Sequence, residues 1–537
     1  MSRRSQGSIW LGAVISVGAM VTACGGGGGG DGIAVLPVAQ NPAPTFAKTC
    51  ADLSGSAQAQ EKITAAEALQ NGSFQASASS TALTGLPEFC RVAATLTPTP
   101  DSKIDVEVWM PKDWNGRFLG TGNDGFAGRI VYQALADGLK RGFAVANTDL
   151  GTSNRAALVG RPEMWIDFGH RATHLMTTFG KRVVNTLYQK APSYSYFHGC
   201  STGGGQGFHE AQQYPGDYNG IVAGAPGQFR TGVHIGILWN YLSTRGDQNL
   251  PAAKLTLLNK GAVAACDKLD GVADGIIGRP DLCKFDPAVL QCTGADDDTC
   301  LTAAQVKGAK QIYAGVLHKL TGQTYYDGMI PGSETGGWNV GISPPSATNV
   351  PLPQIFQTVF GPSWTAEQFD FGADIDTMDW ALGPMVNAMS PDLSAFQKAG
   401  GKIIHWHGMS DGVLAYTMSQ KYWDSVNKQM PGESQKFARM ISAPGVNHCG
   451  GGAGPDAFGG LLSHPFAGDP KRDLLTAVQA WVEQGTAPDG LITTKFVNGD
   501  QKQGVQLTRP LCAYPNVLRY NGTGDPNDAA SFTCGAP

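Results

Sequence analysis

Two dipeptides far apart in this 537-residue chain, Cys200-Ser201 and His448-Cys449, constrain its folding more than any other feature. A disulfide holds its Cα atoms about 4.4–6.8 Å apart. If these two cysteines are bonded, any fold must bring position 449 back to position 200, and Ser201 and His448 travel with their neighbours. Ser–His hydrolysis requires that pair within hydrogen-bond reach.

The redox setting comes from the N-terminus. Arg3 and Arg4 precede an apolar stretch from Ile9 to Val21, followed by Val21-Thr22-Ala23-Cys24. The apolar run is short for a spanning helix and suits an export signal. It resembles a bacterial lipoprotein signal in which 1–23 is removed and Cys24 is lipidated; an ordinary secretory signal cut nearby is the alternative. The glycine run Gly25–Gly30 and the Pro/Ala-rich stretch after it make 24–48 a flexible tether. The expected location is the periplasm, an outer-membrane anchor or the medium, and the only membrane contact expected is that lipid. Export favours disulfides. Of eleven cysteines, all but Cys24 can pair. Sequence does not fix connectivity, but spacing suggests Cys50–Cys90, Cys200–Cys449, Cys266–Cys283, Cys292–Cys300 and Cys512–Cys534. No pair of CxxC elements is present, which argues against a zinc ribbon.

The formal net charge is -5, without a basic stripe or a long charge run, so nucleic acid is not an expected partner. The length allows a large core with a second domain inserted in it. Short apolar runs read as buried strands: Arg117–Gly120, Phe143–Asn147, Ser195–His198, Gly220–Ala223 and Lys402–His407. Helical stretches such as His170–Gln189 and Lys471–Gln484 alternate with them, which argues for an α/β fold with a parallel sheet. From 228 to 395 the pattern turns polar and Gly/Pro-rich, with isolated aromatics such as Trp239, Trp338 and Trp364. That stretch is expected to be an inserted lid domain, with the core formed by 49–227 and 396–537.

Gly199-Cys200-Ser201-Thr202-Gly203 fits G-x-S-x-G, a weak pattern in a chain with 72 glycines. A second match, Gly408-Met409-Ser410-Asp411-Gly412, shows how weak. The pattern has meaning only on a strand–turn–helix. Ser201 follows the strand-like Tyr194-Ser195-Tyr196-Phe197 and precedes a plausible helix, Gln206–Gln213. Gly203, Gly204 and Gly205 are expected to allow the strained turn between them. Ser410 enters a weaker helix start. Ser201 is therefore the expected nucleophile. Cys200 is a poorer one because Cys449 offers it a partner.

His448 lies in a glycine-rich loop near the end of the core, where catalytic residues often sit, and is the expected base. His405 and His407 alternate on an apolar strand and read as satisfied core or loop histidines. Asp411 follows that strand, so the order Ser201, Asp411, His448 is nucleophile, acid, base, as in α/β-hydrolases. Acyl transfer also needs donors for a developing oxyanion. The expected donors are the backbone N–H groups of Thr202 and of Gly125, in the loop Phe118–Phe126.

Together, Gly-Cys-Ser-Thr-Gly-Gly, Gly220–Gly227, His407-Gly408-Met409-Ser410-Asp411 and Asn447-His448-Cys449 resemble the tannase and feruloyl esterase family. The resemblance runs from about Cys50 to the C-terminus. It implies an α/β-hydrolase core with a large lid, and an exported serine esterase acting on small aromatic esters of feruloyl, hydroxycinnamoyl or galloyl type. Esterases of mono(2-hydroxyethyl) terephthalate are also similar, so a terephthalate or phthalate monoester hydrolase is the alternative. However, no arginine occurs between Arg279 and Arg439 to clamp a free carboxylate bidentately. Phe369 and Phe371 are expected to stack on an aromatic acyl group. Cys266–Ile276 resembles the family's lid calcium loop, which implies Asp267, Asp270 and Asp274 as ligands with the carbonyls of Val272 and Ile276. Three carboxylates with turn carbonyls suit a hard, oxygen-seeking Ca2+. No organic cofactor is expected. Two rivals from other classes are a non-catalytic surface binding protein on a hydrolase scaffold and a metal site built from Cys200, His448 and Cys449.

Overall fold

Eleven strands form one sheet in the order β1-β2-β3-β5-β4-β6-β7-β8-β9-β11-β10. In chain order they are β1 Glu61–Leu69, β2 Phe89–Leu96, β3 Ile104–Pro111, β4 Arg117–Thr121, β5 Ala144–Thr148, β6 Tyr194–Cys200, β7 Gly220–Gly224, β8 Lys402–Gly408, β9 Ala438–Ala443, β10 Gly490–Phe496 and β11 Val505–Ala513. This computed structural model describes residues 46–126, 128–340, 352–460 and 465–537. The expected signal segment, Cys24 and the tether up to residue 45 lie outside them.

The strands from β5 to β9 in the sheet order run parallel, and those on either side are antiparallel. The parallel strands are short and apolar because both their faces are covered. Adjacent residues feed opposite cores: Phe118, Phe197 and Ile403 enter one, and Leu119, Tyr196 and Ile404 the other. That alternation is the pleat itself. Flanking helices include α1 Tyr132–Lys140, α2 Ala172–Tyr188 and α3 Thr202–Gln213.

Between β7 and β8 the chain leaves the sheet and builds α4 Arg230–Ser243, α5 Ala252–Cys266, α6 Ala303–Ala314, α7 Gln354–Phe360 and α8 Ala373–Val386. Part of this insertion has a core of its own around Leu258, Ile312 and Trp338. Its α4 and α8, through Val233, Ile235, Met378 and Leu382, join the core under the sheet. Two further helices, α9 Tyr416–Gln429 and α10 Leu474–Gln484, complete the layers. The helix α10 starts at Leu474, not at Lys471, because Asp473 caps it by accepting the Thr476 N–H at 2.7 Å. Five disulfides join Cys50 to Cys90, Cys200 to Cys449, Cys266 to Cys283, Cys292 to Cys300 and Cys512 to Cys534. Among the described residues no helix is long and apolar enough to cross a membrane.

Candidate active site

The strand β6 ends at Cys200 and α3 begins at Thr202, leaving Ser201 alone to make the turn. Its φ is 85° and its ψ is -109°, a conformation that L-residues adopt only under constraint. The strain lies elsewhere than the glycines suggest. Gly203, Gly204 and Gly205 are not turn residues; they form the first turn of α3. They are glycine because the helix start is pressed against its surroundings. A Cβ at Gly122 would stand 2.5 Å from Gly203 Cα, and one at Gly199 2.7 Å from the same atom. The strained residue is the serine, and the glycines let the neighbouring backbones close around it.

His448 sits near the tip of a loop closed by a Val446–Gly452 bridge. The Ser410 N–H donates to the Val446 carbonyl at 2.9 Å, tying this loop to the one that carries Asp411. The Cys200–Cys449 bond, with a Cα separation of 5.9 Å, fixes the other flank. His448 Nδ1 lies 2.7 Å from Asp411 Oδ2, and His448 Nε2 lies 2.8 Å from Ser201 Oγ. A carboxylate beside Nδ1 places the proton on that nitrogen and leaves Nε2 to accept from the serine hydroxyl. Ser410, the rival serine, lies in the turn after β8, well before α9 begins.

Asp411 is buried. Its Oδ1 accepts from the Val413 and Leu414 N–H groups at 2.8 and 2.9 Å. Its Oδ2 is shared by His448 and by His407, whose Nε2 donates from 3.0 Å. Burial pushes the carboxyl pKa up, but the charge of His448 and the hydrogen bonds from His407 and His448 outweigh it. The net result lies well below the usual carboxylate range. Asp411 is thus held in its anionic form at neutral pH.

The sequence marks His407 as a core or loop histidine, and it is buried. What that reading missed is its bond to Asp411. The one available signal was the four-residue spacing to an acid just beyond the strand. His407 Nδ1 also meets Ser419 Oγ of α9 at 2.7 Å. Ser419, His407 and Asp411 therefore form a second Ser–His–Asp line, but one without chemistry: Ser419 is buried within a helix and is not poised on a strained turn. The insertion also reaches this region, since the Gly412 N–H donates to the Gly336 carbonyl at 3.2 Å.

The two expected oxyanion-hole residues are neighbours. The Thr202 hydroxyl donates to the Gly125 carbonyl, and Gly125 turns at a φ of +51°. The loop is clamped to α3 where the Gly203 N–H donates to the Asn123 carbonyl at 2.8 Å and the Asn123 N–H donates to Gln206 Oε1 at 2.8 Å. Thr202 opens α3, so its N–H belongs to the first turn, which lacks intrahelical acceptors.

Phe369 and Phe371 are placed differently from the expectation. Phe369 packs edge-on against Phe356, Phe360 and Phe371, and Phe371 against Trp239. Both are buried in the core that the insertion shares with the sheet. Their ring surface is used by their neighbours, which removes the reason to assign them to a substrate.

The acidic loop after α5 carries Asp267, Asp270 and Asp274. Asp267 Oδ1 accepts from the Asp274 and Gly275 N–H groups at 3.1 Å, and Asp274 is paired with Arg509. The Asp270 carboxyl is pushed up to about 6, first by burial and also by Asp274 and Asp267. Asp270 keeps this repulsion while Asp274 is partly neutralised by Arg509, and carboxylate oxygens of this kind are the donors that a hard cation such as Ca2+ takes.

Comparison with known proteins bears on the whole arrangement. The family described as tannase and feruloyl esterase matches residues 90–535. An uncharacterized esterase from Xanthomonas campestris pv. campestris is 35% identical over 525 residues, covering 90% of this chain and 91% of its own. A probable feruloyl esterase B-1 from Aspergillus oryzae is 33% identical over 472 residues, 83% of this chain and 84% of that one. The crystal structure of feruloyl esterase B from Aspergillus oryzae superposes with a TM-score of 0.84 at 30% identity, covering 91% of this chain and 99% of that chain. Tannin acyl hydrolase from Aspergillus niger, at a TM-score of 0.70 and 23% identity, shares the fold. The fold is thus that of the α/β-hydrolases, and the chain belongs to the tannase and feruloyl esterase family of carboxylic ester hydrolases.

Proposed function

We propose that this protein is an exported serine esterase that hydrolyses small aromatic carboxylic esters, of the feruloyl or galloyl type, through an acyl-enzyme. The observation that carries the mechanism is the unbroken line from Ser201 Oγ through His448 to Asp411 at a strained strand–helix turn. The aromatic acyl class rests on what the relatives are named for.

Ser201 Oγ attacks the ester carbonyl carbon while its proton passes to His448 Nε2. The carbonyl π pair becomes an oxyanion, which the N–H groups of Thr202 and Gly125 are suited to receive. Collapse breaks the bond to the leaving oxygen, and His448 protonates the departing alcohol. Water then attacks the acyl-enzyme and gives a proton to His448. The second collapse frees the acid and returns the proton to Ser201. Asp411 stays anionic throughout, holding the His448 tautomer and balancing its charge. Asp267, Asp270 and Asp274 would hold Ca2+ with the carbonyls of Val272 and Ile276, as a brace for the insertion outside the reaction path. The N-terminal signal and Cys24 would place the enzyme outside the cytoplasm on a lipid anchor.

The test is labelling with a fluorophosphonate probe combined with a panel of ferulate, gallate and terephthalate esters. Wild type should be labelled at Ser201 and Ser201→Ala should be unlabelled and inactive, with Ser410→Ala nearly unaffected. Turnover surviving in Ser201→Ala, or absence of turnover across the panel, would overturn the reading.

A further inference from the structure

Arg230, the first residue of α4, is buried at 7% exposure. Its Nη2 donates to Thr202 Oγ1 at 2.9 Å, its only hydrogen bond among the described residues. The guanidinium also lies over the Phe168 ring, 5.1 Å from its centroid. No carboxylate among the described residues stands at ion-pair distance from it. Arg91, Arg117, Arg141, Arg171 and Arg509 all have such a partner. A buried cation without a counter-ion is costly, and this one lies where the reaction develops negative charge. Burial lowers its pKa to about 10, so it remains charged at neutral pH.

Its surroundings are the walls of the reaction centre. The Thr202 hydroxyl that accepts from Arg230 donates in turn to the Gly125 carbonyl. The Gly227 N–H, at the entry to α4, donates to the Ser201 carbonyl at 2.8 Å. One turn along α4, the His234 ring stacks on Phe126, with centroids 5.0 Å apart and planes 9° apart. One face of the insertion's first helix thus touches the nucleophile turn through Arg230 and the glycine loop through His234.

We propose that Arg230 is a positioning residue of the oxyanion hole, bracing the Thr202 and Gly125 segments through the Thr202 hydroxyl and supplying uncompensated positive potential behind the oxyanion. The proposal rests on the serine esterase reading above. It makes the insertion part of the catalytic apparatus rather than only a cover over it.

The test uses the full-length enzyme with two substrates, methyl ferulate and a terephthalate monoester carrying a free carboxylate. Arg230→Met should lower kcat about ten- to hundredfold on both, since loss of one direct oxyanion donor costs about 10²–10³. KM should hold within about twofold, because the effect belongs to the transition state. The melting temperature should be unchanged or higher, because a buried unpaired cation has gone. Arg230→Lys should recover part of kcat. Phenylboronic acid, which forms a tetrahedral adduct on the serine, should lose affinity for Arg230→Met by about the same factor as kcat/KM. Thr202→Val should be strongly non-additive with Arg230→Met. The proposal is overturned by full kcat in Arg230→Met, by a loss that tracks the folded fraction, or by a KM rise confined to the carboxylate-bearing ester. That last result would make Arg230 a substrate clamp. Ser201→Ala, run in parallel, tests the underlying reading: activity surviving there defeats the serine mechanism, whereas an inactive Ser201→Ala with an unimpaired Arg230→Met defeats only this proposal.

Discussion

Replacing His407 with leucine separates support of the catalytic acid from participation in the chemistry. Asp411 accepts four hydrogen bonds, from Val413, Leu414, His448 and His407. His407→Leu removes one of them from a buried carboxylate and takes the acceptor from the Ser419 hydroxyl. A hydrogen bond to a charged group contributes about 1.5–3 kcal/mol, which is the expected loss of folding stability. The same energy, at 1.36 kcal/mol per unit, raises the Asp411 pKa by about 1–2 units. Since that pKa starts far below the usual range, Asp411 stays ionised at pH 7. The remaining cost to catalysis is looser orientation of His448, less than about 1.4 kcal/mol or tenfold in kcat. Asp411→Asn, by contrast, should cost about 10⁴ through the wrong tautomer. The assay pairs guanidinium unfolding at pH 7 with kcat on the best ester. His407→Gln, which can donate to Asp411 and accept from Ser419, should recover most of both losses. An unchanged unfolding midpoint in His407→Leu would refute the bracing role. A collapse of kcat matching that of Asp411→Asn would show that His407 takes part in the reaction itself.

Removing the Cys200–Cys449 bond by double alanine substitution opens a closure of 249 residues. Chain entropy puts that near 5.5 kcal/mol at most, and kcat should fall even in samples whose circular dichroism shows folded protein; full kcat would count against it as an organiser of the site. Stripping divalent cations with a chelator should lower the melting temperature more than it lowers kcat, and Ca2+ should restore it; no shift, with no metal found by elemental analysis, would remove the ion from the loop. Asp149 is buried and its carboxyl is pushed up to about 6 by that burial. Its contribution to stability is therefore present below about pH 4 and lost as pH rises through 6. Asp149→Asn should gain up to about 3 kcal/mol over wild type at pH 7.5 and little at pH 4.5 in urea unfolding; an equal change at both values would refute the assignment.

The parallel strands were legible because burial on both faces writes itself as a short apolar run. Lys402–His407 was expected and Lys402–Gly408 is observed. The outermost antiparallel strand was not legible: no residue of β1 is buried and it is rich in alanine and charge, so neither period nor hydropathy marks it. Ser201, Asp411 and His448 could be found because each sits beside a glycine or cysteine signal. His407 and Arg230 could not. A histidine on an apolar strand and an arginine opening a helix are ordinary locally, and their roles arise only when α9 and the insertion fold onto the sheet. Phe369 and Phe371 show the opposite ambiguity, since aromatic residues in a lid are as useful for packing as for meeting a ligand.

The pairing of the cysteines also imposes a schedule on biosynthesis. Four bridges join residues 8 to 40 positions apart, whereas the bridge beside the serine must wait for a partner 249 residues downstream. In an exported chain that wait runs from the arrival of Cys200 in the oxidising compartment to the arrival of Cys449. During it Cys266, Cys283, Cys292 and Cys300 all emerge and can capture Cys200 in a mixed bridge that only thiol–disulfide exchange can undo. Chains oxidised in order of appearance would be folded at both ends yet silent in the middle. The fraction of active molecules in a preparation should then rise with the disulfide isomerase supply of the host.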